Sequence, residues 1–203
     1  SVIQKLALGW GEIGIAVGYE KMRDAHGRMD GRKIGEALGY FSHPDERVGK
    51  TYVFPHLFAE VMRDYMAEHD VSEEDLAAIA VQEYFNASYN PYAQMRDIDL
   101  TLEQALTIEG INRYIVDGLP MKTYDCSQIS DGYASLLIAT DEGLQKLGIP
   151  KSETVEIAGF AQATDPLSKE KRNVLRPAGA FHAMRKAYDR AGVTSEDVKV
   201  SEI

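Results

Sequence analysis

Apolar positions recur along this chain at two spacings, and the alternation between them predicts its elements. Val2, Ile3, Leu6 and Trp10 keep a helical period, so residues 1–8 are expected to form a helix. A Gly-containing turn leads to a continuous apolar run at 13–19, which predicts a buried strand. A long polar excursion follows, from about 22 to 119, with little strand character. It holds an amphipathic helix near 55–69 and a second beginning at Ser72. There Ser72-Glu73-Glu74-Asp75 has the Ser-x-x-acid form of a helix start, and Leu76, Ile79, Ala80 and Tyr84 form the stripe. Thr101-Leu102-Glu103-Gln104 predicts a third start.

After the tight Ser130-Asp131-Gly132 turn, residues 133–139 read as a strand and Asp141–Leu147 as a helix stopped by Gly148. Residues 154–161 are again strand-like, Ala178–Ala191 is a helix ended by Gly192, and 198–203 alternate as a last strand. Strands separated by helices predict a layered α/β fold with a mostly parallel sheet. The first helix shows no cap and the last strand stops without a turn, so both ends are expected to fall inside core elements of a larger protein.

Composition narrows the chemistry. The 203 residues suffice for one large domain or two small ones, with ordinary hydrophobic (44%) and charged (27%) fractions. No apolar run approaches the roughly 20 residues that span a bilayer, so no membrane segment is expected. The opening Ser1-Val2-Ile3-Gln4-Lys5-Leu6 lacks the pattern of a secretory signal. The single cysteine, Cys126, excludes an internal disulfide framework and a cysteine-rich zinc site, and suits a cytoplasmic location. A net charge of −10 argues against nucleic acid as a partner. Against that background Lys21, Arg23, Arg28, Arg32 and Lys33 form a local basic segment with Asp24 and Asp30 interleaved. It is either a solvated loop or an electropositive lip for an anionic ligand.

Four motifs then occur in order: Gly18-Tyr19-Glu20-Lys21-Met22 after the first strand, Asn90-Pro91-Tyr92-Ala93-Gln94, the run from Asp125 to Gly132, and the tail from Ala187 to Ile203. Together they resemble the thiolase superfamily, in particular its sterol-carrier-protein (SCP2-like) branch. The resemblance implies a thiolase-like layered α/β/α fold with a mostly helical loop-domain insertion. Residues 1–22 and 121–150 would belong to the N-terminal half-domain, 23–120 to the loop domain and 151–203 to the start of the C-terminal half-domain. It also implies reversible Claisen chemistry on 3-ketoacyl-CoA through a Cys thioester, with a bulky acyl chain as one option. Coenzyme A would be substrate or product, with no metal and no redox cofactor. The family's nucleophilic Cys would precede Ser1, at a helix start whose partial positive charge favours thiolate. Its histidine and acid/base cysteine would follow Ile203, so no catalytic residue is expected within the chain and the chain alone is expected to be inactive.

The same resemblance places candidate CoA contacts. Ser127 matches a serine beside the pantetheine arm; the plainer alternative is a turn serine capping its own backbone. His56 and Leu57 match a His-Met pair beside the thioester; the alternative is a packed, hydrogen-bonded histidine. Tyr133 replaces the usual Ala after Asp-Gly, where a buried phenol would need a hydrogen-bond partner and would tune acyl preference. Cys126 precedes a turn and a strand and reads as a small buried side chain, while His26, His43, His69 and His182 show no partner pattern. The resemblance implies a homodimer or higher oligomer. Two other classes stay open: a thiolase-like retro-aldolase on a CoA-linked side chain, paired with a small OB-fold/zinc-ribbon (DUF35-type) protein, and a non-catalytic CoA- or lipid-binding subunit.

Overall fold

A computed structural model describes residues 1–24 and 26–201. In chain order the elements are α1 (Val2–Ala7), β1 (Ile13–Glu20), α2 (Gly31–Gly39), α3 (Pro44–Arg47), α4 (Val53–His69), α5 (Glu73–Ser88), α6 (Leu102–Leu106), β2 (Gly132–Ala139), α7 (Asp141–Leu147) and α8 (Ala178–Ala191). The chain divides into two units: Ser1–Lys21, Asp131–Thr164 and Gly179–Ile203 form one, Met22–Ser130 and Asp165–Ala178 the other.

The first unit is built on β1 and β2, paired antiparallel from Ile13 opposite Ala139 to Glu20 opposite Gly132. This corrects the expectation of a mostly parallel sheet: among the described residues, the sheet is one antiparallel pair. Directly opposed residues share a face, so Ile15, Val17 and Tyr19 stand beside Leu137 and Tyr133. That face is solvent-exposed, Ile15 at 62% and Tyr19 at 80%, so the strand expected to be buried is not. On the other face α1 lays Val2 and Leu6 against Gly14. The expectation of an uncapped first helix is also corrected. Ser1 caps it, accepting from the Gln4 amide at 3.3 Å and donating its own amine to the Gln4 side chain at 2.8 Å.

Helix α7 begins against the start of β1. The Thr140 N–H donates to the Glu12 carbonyl at 2.9 Å, and the Thr140 hydroxyl accepts from the Gly143 N–H at 3.2 Å. Gly143 packs so tightly on the Glu12 carbonyl that a Cβ there would overlap it. The helix stops at Gly148, whose φ of 68° is open to glycine at little cost. Two expected strands do not form. Residues 154–161 are irregular, and so are 198–201, while 202–203 lie outside the described residues. A strand-like pattern alone did not suffice: Val155 and Val200 stand 94% and 89% exposed, and among the described residues no strand lies beside them to take their backbone groups.

The second unit is helical. Its core gathers Ala77, Ala80 and Tyr84 of α5 with Leu100 and Ala105. The buried stripe of α5 therefore runs 77–80–84, and Ile79, expected within it, is 58% exposed. Ser72 caps α5 and Thr101 caps α6, each in a reciprocal box with the residue three positions on. Helix α2 falls where the pattern suggests a polar loop. Asp30 caps it, and its last residue, Gly39, meets Val53 at the start of α4.

Candidate functional site

Within each unit the motif residues meet one another. In the first, the Lys21 ammonium pairs with Asp131 at 2.7 Å, and Gly18 and Tyr19 lie across the ladder from Ala134 and Tyr133. In the second, the Ser130 hydroxyl donates a short hydrogen bond to the Gln94 side-chain oxygen. Asn90 earns its place by turning the chain, its side-chain oxygen accepting the Tyr92 N–H at 3.0 Å.

Gln94 and Ser130 lie on the wall of a cavity of about 520 Å³, a size suited to a small-molecule ligand. Its apolar side comes from Met62, Ile79, Ala80, Tyr84 and Met95, and its polar lip from Asp125, Cys126, Ser127 and Gln128. The lip is set by a tight turn at Thr123–Asp125, closed by the Cys126 N–H donating to the Thr123 carbonyl at 3.1 Å. The Asp125 carboxylate accepts the Lys122 N–H at 2.7 Å. Tyr124 is held edge-on by Tyr84, with ring centroids 5.8 Å apart. Buried Asn112 ties the turn to α6: its amide donates to the Ala105 and Thr107 carbonyls at 3.0 and 2.9 Å, and its oxygen accepts the Tyr124 N–H at 3.4 Å.

Burial, and secondarily the Asp125 charge, push the Cys126 thiol above its ordinary range. A neutral thiol is a poor nucleophile, which agrees with reading Cys126 as a wall residue. Ser127 is exposed on the same wall.

The other candidates lie elsewhere. Leu57 lines a second cavity of the helical unit, about 330 Å³, with Phe54, Phe58, Lys169 and Arg172. His56 Nε2 stands 3.3 Å from the Glu60 carboxylate, which also pairs with Lys50 at 3.7 Å and with Lys169. Burial pulls the Glu60 carboxyl up, but Lys169, Lys50 and His56 together outweigh it and hold Glu60 below the usual carboxylate range. Ser127 and Leu57 thus line different cavities of one unit, and His56 lines neither. Tyr133 belongs to the first unit, where it is 87% exposed on β2, so the premise of a buried phenol is corrected.

The basic segment is internally compensated. Arg28 pairs with Asp24 at 2.9 Å, Arg32 with Glu36 at 3.1 Å and Lys33 with Asp30 at 3.6 Å, while Arg23 donates to the Gly27 carbonyl at 3.3 Å. These contacts favour the solvated-loop reading over an anion-receiving lip. Among the described residues no group of three His, Cys, Asp or Glu side chains is placed to hold a metal, and no helix is long and apolar enough to cross a membrane.

Sequence reasoning missed Lys122 and Asn112. The signal was faint: the Asp125 carboxylate caps the turn by accepting the Lys122 N–H, but a lysine side chain has no acceptor to return the bond and so marks no turn start.

A short sheet carrying helices, with a helical unit that walls a cavity of mixed lining, is consistent with a thiolase-like α/β fold. The comparisons agree: along almost its whole length the chain is homologous to acetyl-CoA acetyltransferases, sterol carrier protein 2 and a thiolase subunit. It is 30% identical over 205 residues to an acetyl-CoA acetyltransferase of Methanothermobacter thermautotrophicus, covering 100% of this chain and 49% of that protein. It is 26% identical to human sterol carrier protein 2, covering 96% of this chain and 36% of that protein. A benzoylsuccinyl-CoA thiolase subunit of Thauera aromatica is 25% identical, over 99% and 48%. Among solved structures, an Ltp2–ChsH2(DUF35) aldolase superposes with a TM-score of 0.71 at 23% identity, covering 97% of this chain and 49% of that one. A monomeric SCP2-thiolase-like protein of Mycobacterium smegmatis does so at 0.69 and 22%, covering 98% and 42%. No protein-family model matches the chain. The chain spans about half the length of the first two acetyltransferases it matches.

Proposed function

We propose that the protein containing this chain is an acyl-CoA C-acyltransferase, cleaving or forming 3-ketoacyl-CoA through a Cys thioester. The chain itself supplies the wall that holds the CoA. The observation that carries this reading is the cavity bounded by two family motifs, Gln94 on one side and Cys126–Ser130 on the other. Its mixed lining suits pantetheine, a narrow arm of amides and methylenes: apolar surface for the methylenes, and Ser127 and Gln128 for the amides. His56 and Leu57 remain candidates for a second contact with the thioester, and Tyr133 for acyl preference.

On this reading the nucleophile and the histidine come from polypeptide outside these 203 residues, and the isolated chain has no turnover. The protein works in the cytoplasm, as a homodimer or larger assembly, with no metal or redox cofactor. A thiolysis assay on the full-length protein, with acetoacetyl-CoA and longer 3-ketoacyl-CoA thioesters, tests it. CoA-dependent loss of the 3-ketoacyl thioester is expected; no thiolysis of any chain length would overturn the acyltransferase reading.

A second reading has one observation in its favour, the likeness to an aldolase solved with a DUF35 protein. A retro-aldolase would use the same CoA wall without the nucleophilic Cys and would bind a small OB-fold/zinc-ribbon partner. Carbon–carbon cleavage without free CoA, dependent on such a partner, distinguishes it.

A further inference from the structure

The best-buried charge of the helical unit plays no part in the reading above. Lys122 is 1% exposed, and its ammonium makes no hydrogen bond within the described structure. Instead it sits midway between two carboxylates, 3.5 Å from Glu73 Oε2 and 3.5 Å from Asp125 Oδ2. Both are too far for a good hydrogen bond and close enough for strong attraction in a site shielded from water. Glu73 opens α5, and Asp125 closes the turn that carries the lip of the larger cavity. The Tyr114 hydroxyl adds a contact to Glu73 at 3.3 Å, and the Tyr114 and Lys122 backbones form an isolated bridge.

We infer that Lys122 is a positioning residue: its buried ammonium, drawn to Glu73 and Asp125 together, fixes the 123–125 turn against α5 and so presents Asp125, Cys126, Ser127 and Gln128 to the cavity. The geometry explains why a cation is tolerated there. One carboxylate is nearly buried, Asp125 at 7% side-chain exposure, and the other, Glu73 at 40%, reaches solvent. Removing the ammonium leaves Asp125 buried beside no cation, and water must then enter to solvate it. The entering water loosens the turn at the point where it carries the cavity lip.

The inference rests on the CoA reading of that cavity only for its ligand-binding arm. Hydrogen–deuterium exchange and CoA calorimetry on the full-length protein test it, with Lys122→Met and the charge-conserving Lys122→Arg. In Lys122→Met, exchange at residues 123–128 is expected to accelerate at least tenfold while the interior of α5 stays protected, and CoA affinity to fall about tenfold. Lys122→Arg is expected to recover most of both. Should Lys122→Met fail to fold, Glu73→Gln removes the solvent-facing partner and is expected to loosen the same six residues two- to fivefold. Faster exchange throughout the helical unit, or an unchanged turn, overturns the inference. If the unaltered protein binds no CoA, the reading of the cavity fails, and the exchange arm still judges Lys122.

Discussion

Single side chains carry two opposed electrostatic arrangements. Cys126 is held as a thiol by burial and by Asp125, so iodoacetamide is expected to modify it much more slowly than free cysteine at pH 8. Peptide mapping of the alkylated protein reads that rate, and modification as fast as the free amino acid would contradict the buried wall. Because its folded pKa is raised, the thiol favours the folded state below its unfolded value, and that contribution is lost as pH rises above about 9. Glu60 works the other way. Its carboxyl is held low by Lys169, Lys50 and His56 against the pull of burial, so it stabilises above the unfolded glutamate pKa and fails as pH falls below about 4. Glu60→Gln is expected to cost about 2 kcal/mol at pH 7, in urea unfolding, and to flatten the acid limb. At this scale the sequence was least informative. The sequence names His56, but its partner Glu60 and the distant Lys169 meet only through folding. Lys122 gave no hint of its burial.

Elements were easier to read where their starts are chemical. Ser72 and Thr101 were legible as caps because a hydroxyl and a side chain three residues on satisfy each other locally, whatever the rest of the fold does. Helices α7 and α8 were legible from their stops, Gly148 and Gly192, whose positive φ favours glycine. Strands depend on partners that sequence does not name. The apolar runs at 13–19 and 133–139 found each other, whereas 154–161 and 198–201 also read as strand and have no partner among the described residues. Packing sets a further constraint at the element level, where α7 meets the start of β1. Gly143→Ala is expected to destabilise by about 1–3 kcal/mol, because its methyl overlaps the Glu12 carbonyl and the helix must shift. Thermal melting of the variant reads this; an unchanged melt would contradict the tight docking.

At the scale of the whole chain, the resemblance was legible before the architecture was. Four short motifs in order carried the resemblance, and the relatives that share it run along almost all of the chain. What motifs do not convey is which faces are covered. The β1–β2 sheet leaves Ile15, Val17, Tyr19, Tyr133 and Leu137 in solvent, a patch of the kind that soluble proteins bury. The 203-residue chain expressed alone is therefore expected to self-associate, and size-exclusion chromatography of a stable monomer would count against this. The account depends above all on the larger cavity of the helical unit being the place where coenzyme A lies. A crystal structure of the full-length protein grown with saturating CoA decides it. The account predicts pantetheine density along the wall formed by Met95, Cys126, Ser127 and Gln128; CoA bound elsewhere, with that cavity empty, would contradict it.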